Sequence, residues 1–366
     1  MNQLVEIARE RLTGLQPYRA GKPPAGQLSG KLSANESAFG PGPAVIAALT
    51  EAAKSIGHYP REDQFIESVA TAFDLPADCI LATNGSDELC TLIATVFLGP
   101  GRTSVVGDPC YAIDATASLV SGADVMRIPL VRGAHDLAAM AEAARTARVV
   151  WVPTPHNPTG VALTPQQVTE FLEAVPPSCL VVLDLAYADF ADEEFQLDAP
   201  ALISKYPNVL IQRTLSKSKS LAGLRVGLAF SNPELIQALR TVRLPFSVNS
   251  LGVAAADAAV RYPSWGEMNI ARVREGRARL QQKLDELGIE YYSSQANFIL
   301  VHMDHELLRE PLAGLGITVR NGSDLGIPGW TRITVGWAPM MSKLHHGLSE
   351  VITHTANHHS KKEETS

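Results

Sequence analysis

At 366 residues the chain is too long for one small core and long enough for two domains, or for one large domain with an appendage. Hydrophobic residues at 46% and charged residues at 19% exclude a disordered chain and fit a soluble globular enzyme. A net charge of -7 supplies no basic field, so neither nucleic acid nor an anionic membrane is expected as a partner.

Residues 4–12 carry charges among their apolar positions and predict an amphipathic helix, not a signal peptide. Pro17-Tyr18-Arg19 then opens a Gly/Pro-rich stretch to Gly30, a mobile arm by composition. Residues 31–36 lead into the turn-rich FGPGP, and Pro43 stands where a helix over 44–54 would begin. The G-x-G of FGPGP lacks a third glycine and a preceding strand, which excludes a dinucleotide fingerprint. A loop carries His58-Tyr59-Pro60, and a second helix is predicted over 62–73. Cys79, Cys90, Cys110 and Cys179 show no CxxC spacing and read as reduced thiols of a cytoplasmic protein, not as a disulfide frame or a metal site. No uncharged apolar run reaches membrane-spanning length.

From residue 79 to 212, short apolar segments alternate with loops and helical segments. The predicted strands are 80–82, 103–106, 123–126, 149–152, 180–183 and 209–211. Strands apolar on both faces that alternate with helices imply an α/β fold, a mostly parallel sheet sandwiched by helices. Ligands of such sheets bind at the carboxyl ends of the strands, so the polar residues that follow each strand matter most. Asn84-Gly85-Ser86-Asp87-Glu88 follows the first strand and is either an anion-binding turn or an ordinary cap by Ser86 or Asp87. His156-Asn157-Pro158-Thr159-Gly160 follows the fourth. Asp184 ends the fifth, with Tyr187 close behind, and a carboxylate buried there needs a partner. A helix N-terminus and a protonated ring nitrogen are both compatible.

After the last strand comes RTLSKSKSLAGLRVG, residues 213–227. Alone, it is either a basic loop with a serine run or a phosphate site. Lys217, Ser216 and Arg225 are the parts that pyridoxal 5'-phosphate would need: an amine for a Schiff base, and a hydroxyl and a guanidinium for its phosphate. Beyond it, helices over 232–242 and about 251–287 and strands over 296–301, 317–320 and 331–336 lose the earlier rhythm and predict a smaller α+β domain. The expected division is an arm at 1–44, which belongs with the small domain, a large domain at 45–245, a small domain at 246–353 and a disordered tail at 354–366.

Ten segments in this order resemble the fold-type I pyridoxal-phosphate transferases, and within them the histidinol-phosphate aminotransferase branch of the class I/II aminotransferases. They are KLSANESAFGPGP, HYP, NGSDE, DPCY, HNPTG, LDLAYADF, RTLSKSKSLAGLRVG, LPFSVN, ANF and RITVG. The resemblance implies that Lys217 carries the cofactor, that Asp184 pairs with its ring nitrogen, and that Tyr187 and Asn157 bind its phenolic oxygen. It further implies that Tyr111 stacks on the ring and that Ser86, Asp87, Ser216 and Arg225 hold the phosphate. Tyr59 would reach the cofactor of a second subunit, which implies a homodimer with shared sites. Tyr18, Asn35, Arg320 and Arg332 would bind substrate. Only Arg225, eight residues after Lys217, fits the family's spacing, so Lys219 is not the cofactor lysine. Leu185, His156, Ser37-Ala38 and Ser218-Lys219-Ser220 depart from the family pattern and are expected beside cofactor or substrate.

The implied activity is transfer of an amino group between a donor and a keto acid, with histidinol phosphate or a related substrate. Alternatives on the same scaffold are an aromatic aminotransferase and a decarboxylase of a phosphorylated amino acid. A non-catalytic binding module is disfavoured by the intact lysine–aspartate–arginine set.

Overall fold

A computed structural model describes residues 30–363, with side chains as far as His354. The helix expected at 4–12, the arm and Tyr18 lie outside the described residues. β1 (Gly30–Lys31) is followed by α1 (Pro43–Ala52) and α2 (Asp63–Phe73). Pro43 occupies the first turn of α1, where a missing N–H leaves nothing unpaired. Alternation then sets in: β2 (Ile80–Thr83), α3 (Ser86–Phe97), β3 (Thr103–Asp108), α4 (Ala112–Val120), β4 (Asp124–Pro129), α5 (Leu137–Ala144), β5 (Val149–Pro153), α6 (Pro165–Ala174), β6 (Leu180–Asp184), α7 (Ala199–Lys205) and β7 (Val209–Thr214). After β8 (Gly227–Phe230) come three helices, α8 (Pro233–Val242), α9 (Ser250–Arg261) and α10 (Ser264–Glu286).

Seven strands form the main sheet in the order β2-β8-β7-β6-β5-β3-β4. All six predicted strands are in it. β8 was not predicted, and it runs antiparallel to both β2 and β7 while every other pairing is parallel. Successive residues of one strand point to opposite faces. Val150, Val152, Val181 and Leu183 enter one apolar core, and Val149, Trp151, Leu180 and Val182 enter the other. β5 and β6 are buried at every residue, and exposed charges appear on β4 at the edge.

The second unit holds β9 (Phe298–Val301), α11 (His305–Gly314), β10 (Ile317–Thr318), β11 (Arg320–Asn321), β12 (Thr331–Thr334) and α12 (Ala338–Glu363). β11, β12 and β9 make an antiparallel sheet, and β1 pairs with β10, so the chain's first described strand belongs here. Leu280, Leu284, Ile299, Ile333 and Leu344 lie in its core.

Three expectations need correction. The small unit does not begin at 246: Val253, Ala255, Ala256 and Ala259 of α9 are buried in the large core with Val45, Phe65 and Val69. The helix expected over 251–287 is two helices, broken at Tyr262-Pro263 because proline cannot continue the α9 hydrogen bonds. The segment expected as a disordered tail continues α12 as far as Glu363.

Candidate active site at the carboxyl edge of the main sheet

The ends of β3, β5, β6 and β7, the start of α3 and two strands of the small unit enclose a cleft of about 930 Å³. It is lined by Asn35, Ser86, Asp87, Tyr111, Asn157, Asp184, Tyr187, Ser216, Lys217, Arg225, Arg320 and Arg332. Twelve of the fourteen residues singled out from sequence therefore meet in one place. Tyr59 does not line it: its side chain is 77% exposed and stacks on Phe246 at 4.4 Å. Tyr18, the other, is among the residues not described.

β8 explains how Arg225 meets the start of α3. Being antiparallel, it starts at the edge where its neighbours end, and Gly227 faces both Thr83 and Thr214. Arg225 is thus delivered next to the turn before α3. That turn is closed to side chains: a Cβ on Gly227 would lie 2.6 Å from the Ser86 nitrogen, and one on Gly85 (φ +78°) 2.5 Å from Arg225 Nη2. Gly85 itself is the cap of α3, with no side chain on the helix's first N–H groups. The ordinary cap by Ser86 or Asp87 is therefore absent, and the helix start faces the cleft with Ser86 and Arg225 beside it. Asp87 differs from expectation. Its carboxylate accepts the Tyr111 hydroxyl at 2.9 Å and pairs with Arg225 at 3.0 Å, so its side chain aims those two groups. Burial, then the charge of Asp87, keeps the Tyr111 hydroxyl protonated.

Lys217 sits in a loop pinned by buried Leu215 and Leu221, whose backbones bond each other at 3.1 Å. Its Nζ lies 5.7 Å from the centre of the Tyr187 ring. The Tyr187 hydroxyl accepts Asn35 Nδ2 at 3.0 Å, and Asn35 is held in turn by Thr334 and Asn297. Arg320 and Arg332 are directly opposed partners of β11 and β12 and are 6% and 5% exposed. Arg332 donates to Asn157 Oδ1 at 2.6 Å and to the Ser33 carbonyl at 3.2 Å; Arg320 faces Asp324 at 3.6 Å.

Asp184 is 8% exposed and accepts the Ala186 N–H at 3.0 Å. Burial pushes its carboxyl up to about 6, against the pull of Ala186, Gln212 and Lys217. A cation at its free lone pairs would restore it, and a protonated ring nitrogen is such a cation. With an amine, an anion cradle and a buried carboxylate in one cleft, the residues fit pyridoxal 5'-phosphate.

Asp189 carried no role in the sequence reading. It is hydrogen-bonded by Ser218 and paired with Arg213, and so ties the Lys217 loop to the Tyr187 loop. Burial pushes Asp189 up, but Arg213, Ser218 and Lys219 outweigh it and hold the carboxyl below its ordinary range. An aspartate two residues after Tyr187 was the available signal. The departures from the family pattern do not line the cleft as expected. Leu185 is in the large core, His156 is fully buried against Thr159 at 3.0 Å, and Ser220 bonds Ser37 at 2.7 Å.

Residues 30–348 match the family model for aminotransferases of class I and II. A histidinol-phosphate aminotransferase of Symbiobacterium thermophilum is 38% identical over 340 residues, covering 90% of this chain and 94% of that protein. One from Brevibacillus brevis is 36% identical over 329 residues, 88% of this chain and 90% of that one. The crystal structure of a Sinorhizobium meliloti histidinol-phosphate aminotransferase with pyridoxal-5'-phosphate superposes with a TM-score of 0.85 at 26% identity, covering 96% of this chain and all of that one. The cleft and these likenesses agree, and the chain belongs to the class I and II aminotransferases, pyridoxal-phosphate enzymes of fold type I.

Proposed function

We propose that this aminotransferase moves the amino group of histidinol phosphate, in histidine biosynthesis, with 2-oxoglutarate as the keto acid, and that it works as a cytoplasmic homodimer. The observation that carries the substrate is the opposed pair Arg320 and Arg332 on the small-unit side of the cleft. One guanidinium serves a carboxylate. Two nearly buried ones suit a dianionic phosphate, which accepts more charge-assisted hydrogen bonds. The names of the relatives at 36% and 38% identity support the same substrate. For the dimer, Tyr59 stacks on Phe246 with both rings exposed, and Leu244, two residues before Phe246, is exposed as well.

Bound in the cleft, pyridoxal phosphate supplies an electron sink for negative charge at the substrate α-carbon. The chain's residues do the rest. Asp184 keeps the ring nitrogen protonated, and Tyr187 and Asn157 orient the phenolic oxygen. Ser86, Ser216 and Arg225 anchor the phosphate. Lys217, whose amine lines the cleft, would take the proton from the substrate α-carbon and return one as general acid. Arg332, fixed by Asn157 and Ser33, orients the substrate's anionic end.

Supplying histidinol phosphate and 2-oxoglutarate should give stoichiometric glutamate. Carbon dioxide release from a phosphorylated amino acid, without dependence on a keto acid, would instead make the enzyme a decarboxylase.

A further inference from the structure

Behind Asp184, away from the cleft, three polar side chains lie in the apolar core between α3, α4 and the sheet. Cys90 and Gln212 are fully buried and Asp114 is 1% exposed. Gln212 is the direct β7 neighbour of Asp184 on β6, so the two side chains share a face. Cys90 Sγ is 3.5 Å from Gln212 Oε1 and 3.6 Å from Asp114 Oδ1.

A thiol has one hydrogen and can serve only one of these acceptors. If Asp114 were ionised, its carboxylate would take that hydrogen, and Gln212 Oε1 would face a sulfur lone pair. If Asp114 carries a proton, it donates to sulfur, and sulfur donates to Oε1. The amide is then fixed with Nε2 turned to the other side, where Asp184 lies. Charge decides between them. Asp114 Oδ2 is buried with no hydrogen-bond partner, and burial, then the charge of Asp184, pushes the carboxyl up, against the pull of the Cys90 hydrogen bond. Its place in the first turn of α4 favours an anion, but that effect is weaker than the penalty on a second buried carboxylate beside Asp184. Gln212 Nε2 meets no acceptor at ordinary hydrogen-bond length, yet it is an amide that favours the charged form of Asp184.

We propose that Asp114, as the neutral acid, Cys90 and Gln212 form a one-way hydrogen-bond chain that aims the Gln212 amide N–H at Asp184. Gln212 is then a positioning residue: with the Ala186 N–H on one side and Gln212 on the other, Asp184 stays an anion and its remaining lone pair points into the cleft. The chain rests on Asp184 taking the ring nitrogen.

Two measurements test it. The infrared difference spectrum between cofactor-free wild type and Asp114→Asn at neutral pH should show a protonated carboxyl band in the wild type. Carboxylate bands in its place overturn the chain. Gln212→Leu should lower kcat roughly ten- to a hundredfold with KM for the amino donor within about twofold, the loss expected when an amide N–H that favours the charged form of Asp184 is removed. The thermal midpoint of the cofactor-free variant should not fall, because an apolar group replaces a buried amide short of an acceptor. Wild-type kcat, or a kcat loss that accompanies a lowered midpoint, overturns the positioning role. Asp184→Asn separates the two readings. If it is as fast as wild type, the role of Asp184 fails. If it is slow while Gln212→Leu is fast, only the chain fails.

Discussion

Lys217 and Lys219 are two residues apart, and the loop sends them to different places. Lys217 lines the cleft, whereas Lys219 lies against α10, its Nζ 3.0 Å from where a Cβ on Gly266 would be. Lys217→Ala should abolish both turnover and the absorbance of the lysine-bound cofactor, and Lys219→Ala should keep that absorbance. Loss of the chromophore in the Lys219 variant would mean the wrong lysine has been assigned. Asp184 makes a prediction with a sign. Its carboxyl stands at about 6 against an ordinary 3.8, so the folded, cofactor-free protein binds this proton more tightly than the unfolded chain. The stability it contributes is fully present below about pH 4 and lost as pH rises through about 6. Two units correspond to about 3 kcal/mol. The unfolding free energy of wild type relative to Asp184→Asn should therefore fall by about 2–3 kcal/mol from pH 4 to pH 7. A difference that stays flat across that window contradicts a carboxyl pushed up by burial.

At the scale of elements, the parallel strands were legible because each is an apolar run between turn residues, and burial on both faces leaves no other pattern. β8 was missed because its first residue, Gly227, closes the lysine motif, and the three that remain are a short run next to Asn232-Pro233. Yet β8 brings Arg225 to the turn before α3, so part of the site's geometry was missing with it. The domain boundary failed for a different reason. The alanine-rich face of α9 announces burial but not against what, and the partner is α1 and α2, some two hundred residues earlier in the chain. The residues that line the cleft were legible because most sit within a few residues of strand ends, where this architecture places ligands. Residues that act through others, such as Asp189, Gln212 and Thr334, carry no spacing signal: topology alone brings them to their partners.

At the scale of the whole molecule, Tyr59 is the residue that one chain leaves without a role. Tyr59 is outside its own chain's cleft, on a patch with Phe246 at 52% and Leu244 at 71% exposure. In a homodimer with shared sites, an inactive Tyr59→Ala protein and an inactive Lys217→Ala protein should regain partial activity on subunit exchange, because one site of the hybrid is intact. No recovery after confirmed exchange would contradict the sharing of sites through Tyr59. The central claim is the pairing of this chemistry with a phosphorylated substrate, and its test is kcat/KM for histidinol phosphate, histidinol and an aromatic amino acid on wild type, Arg320→Ala and Arg332→Ala. Each guanidinium lost from a partly buried phosphate contact costs about 1.5–3 kcal/mol, or roughly ten- to a hundredfold. Wild type should prefer histidinol phosphate. Arg320→Ala should penalise histidinol phosphate more than glutamate, measured in the reverse direction, and Arg332→Ala should penalise both. Equal activity with histidinol phosphate and histidinol, or best activity with the aromatic amino acid, would contradict the account.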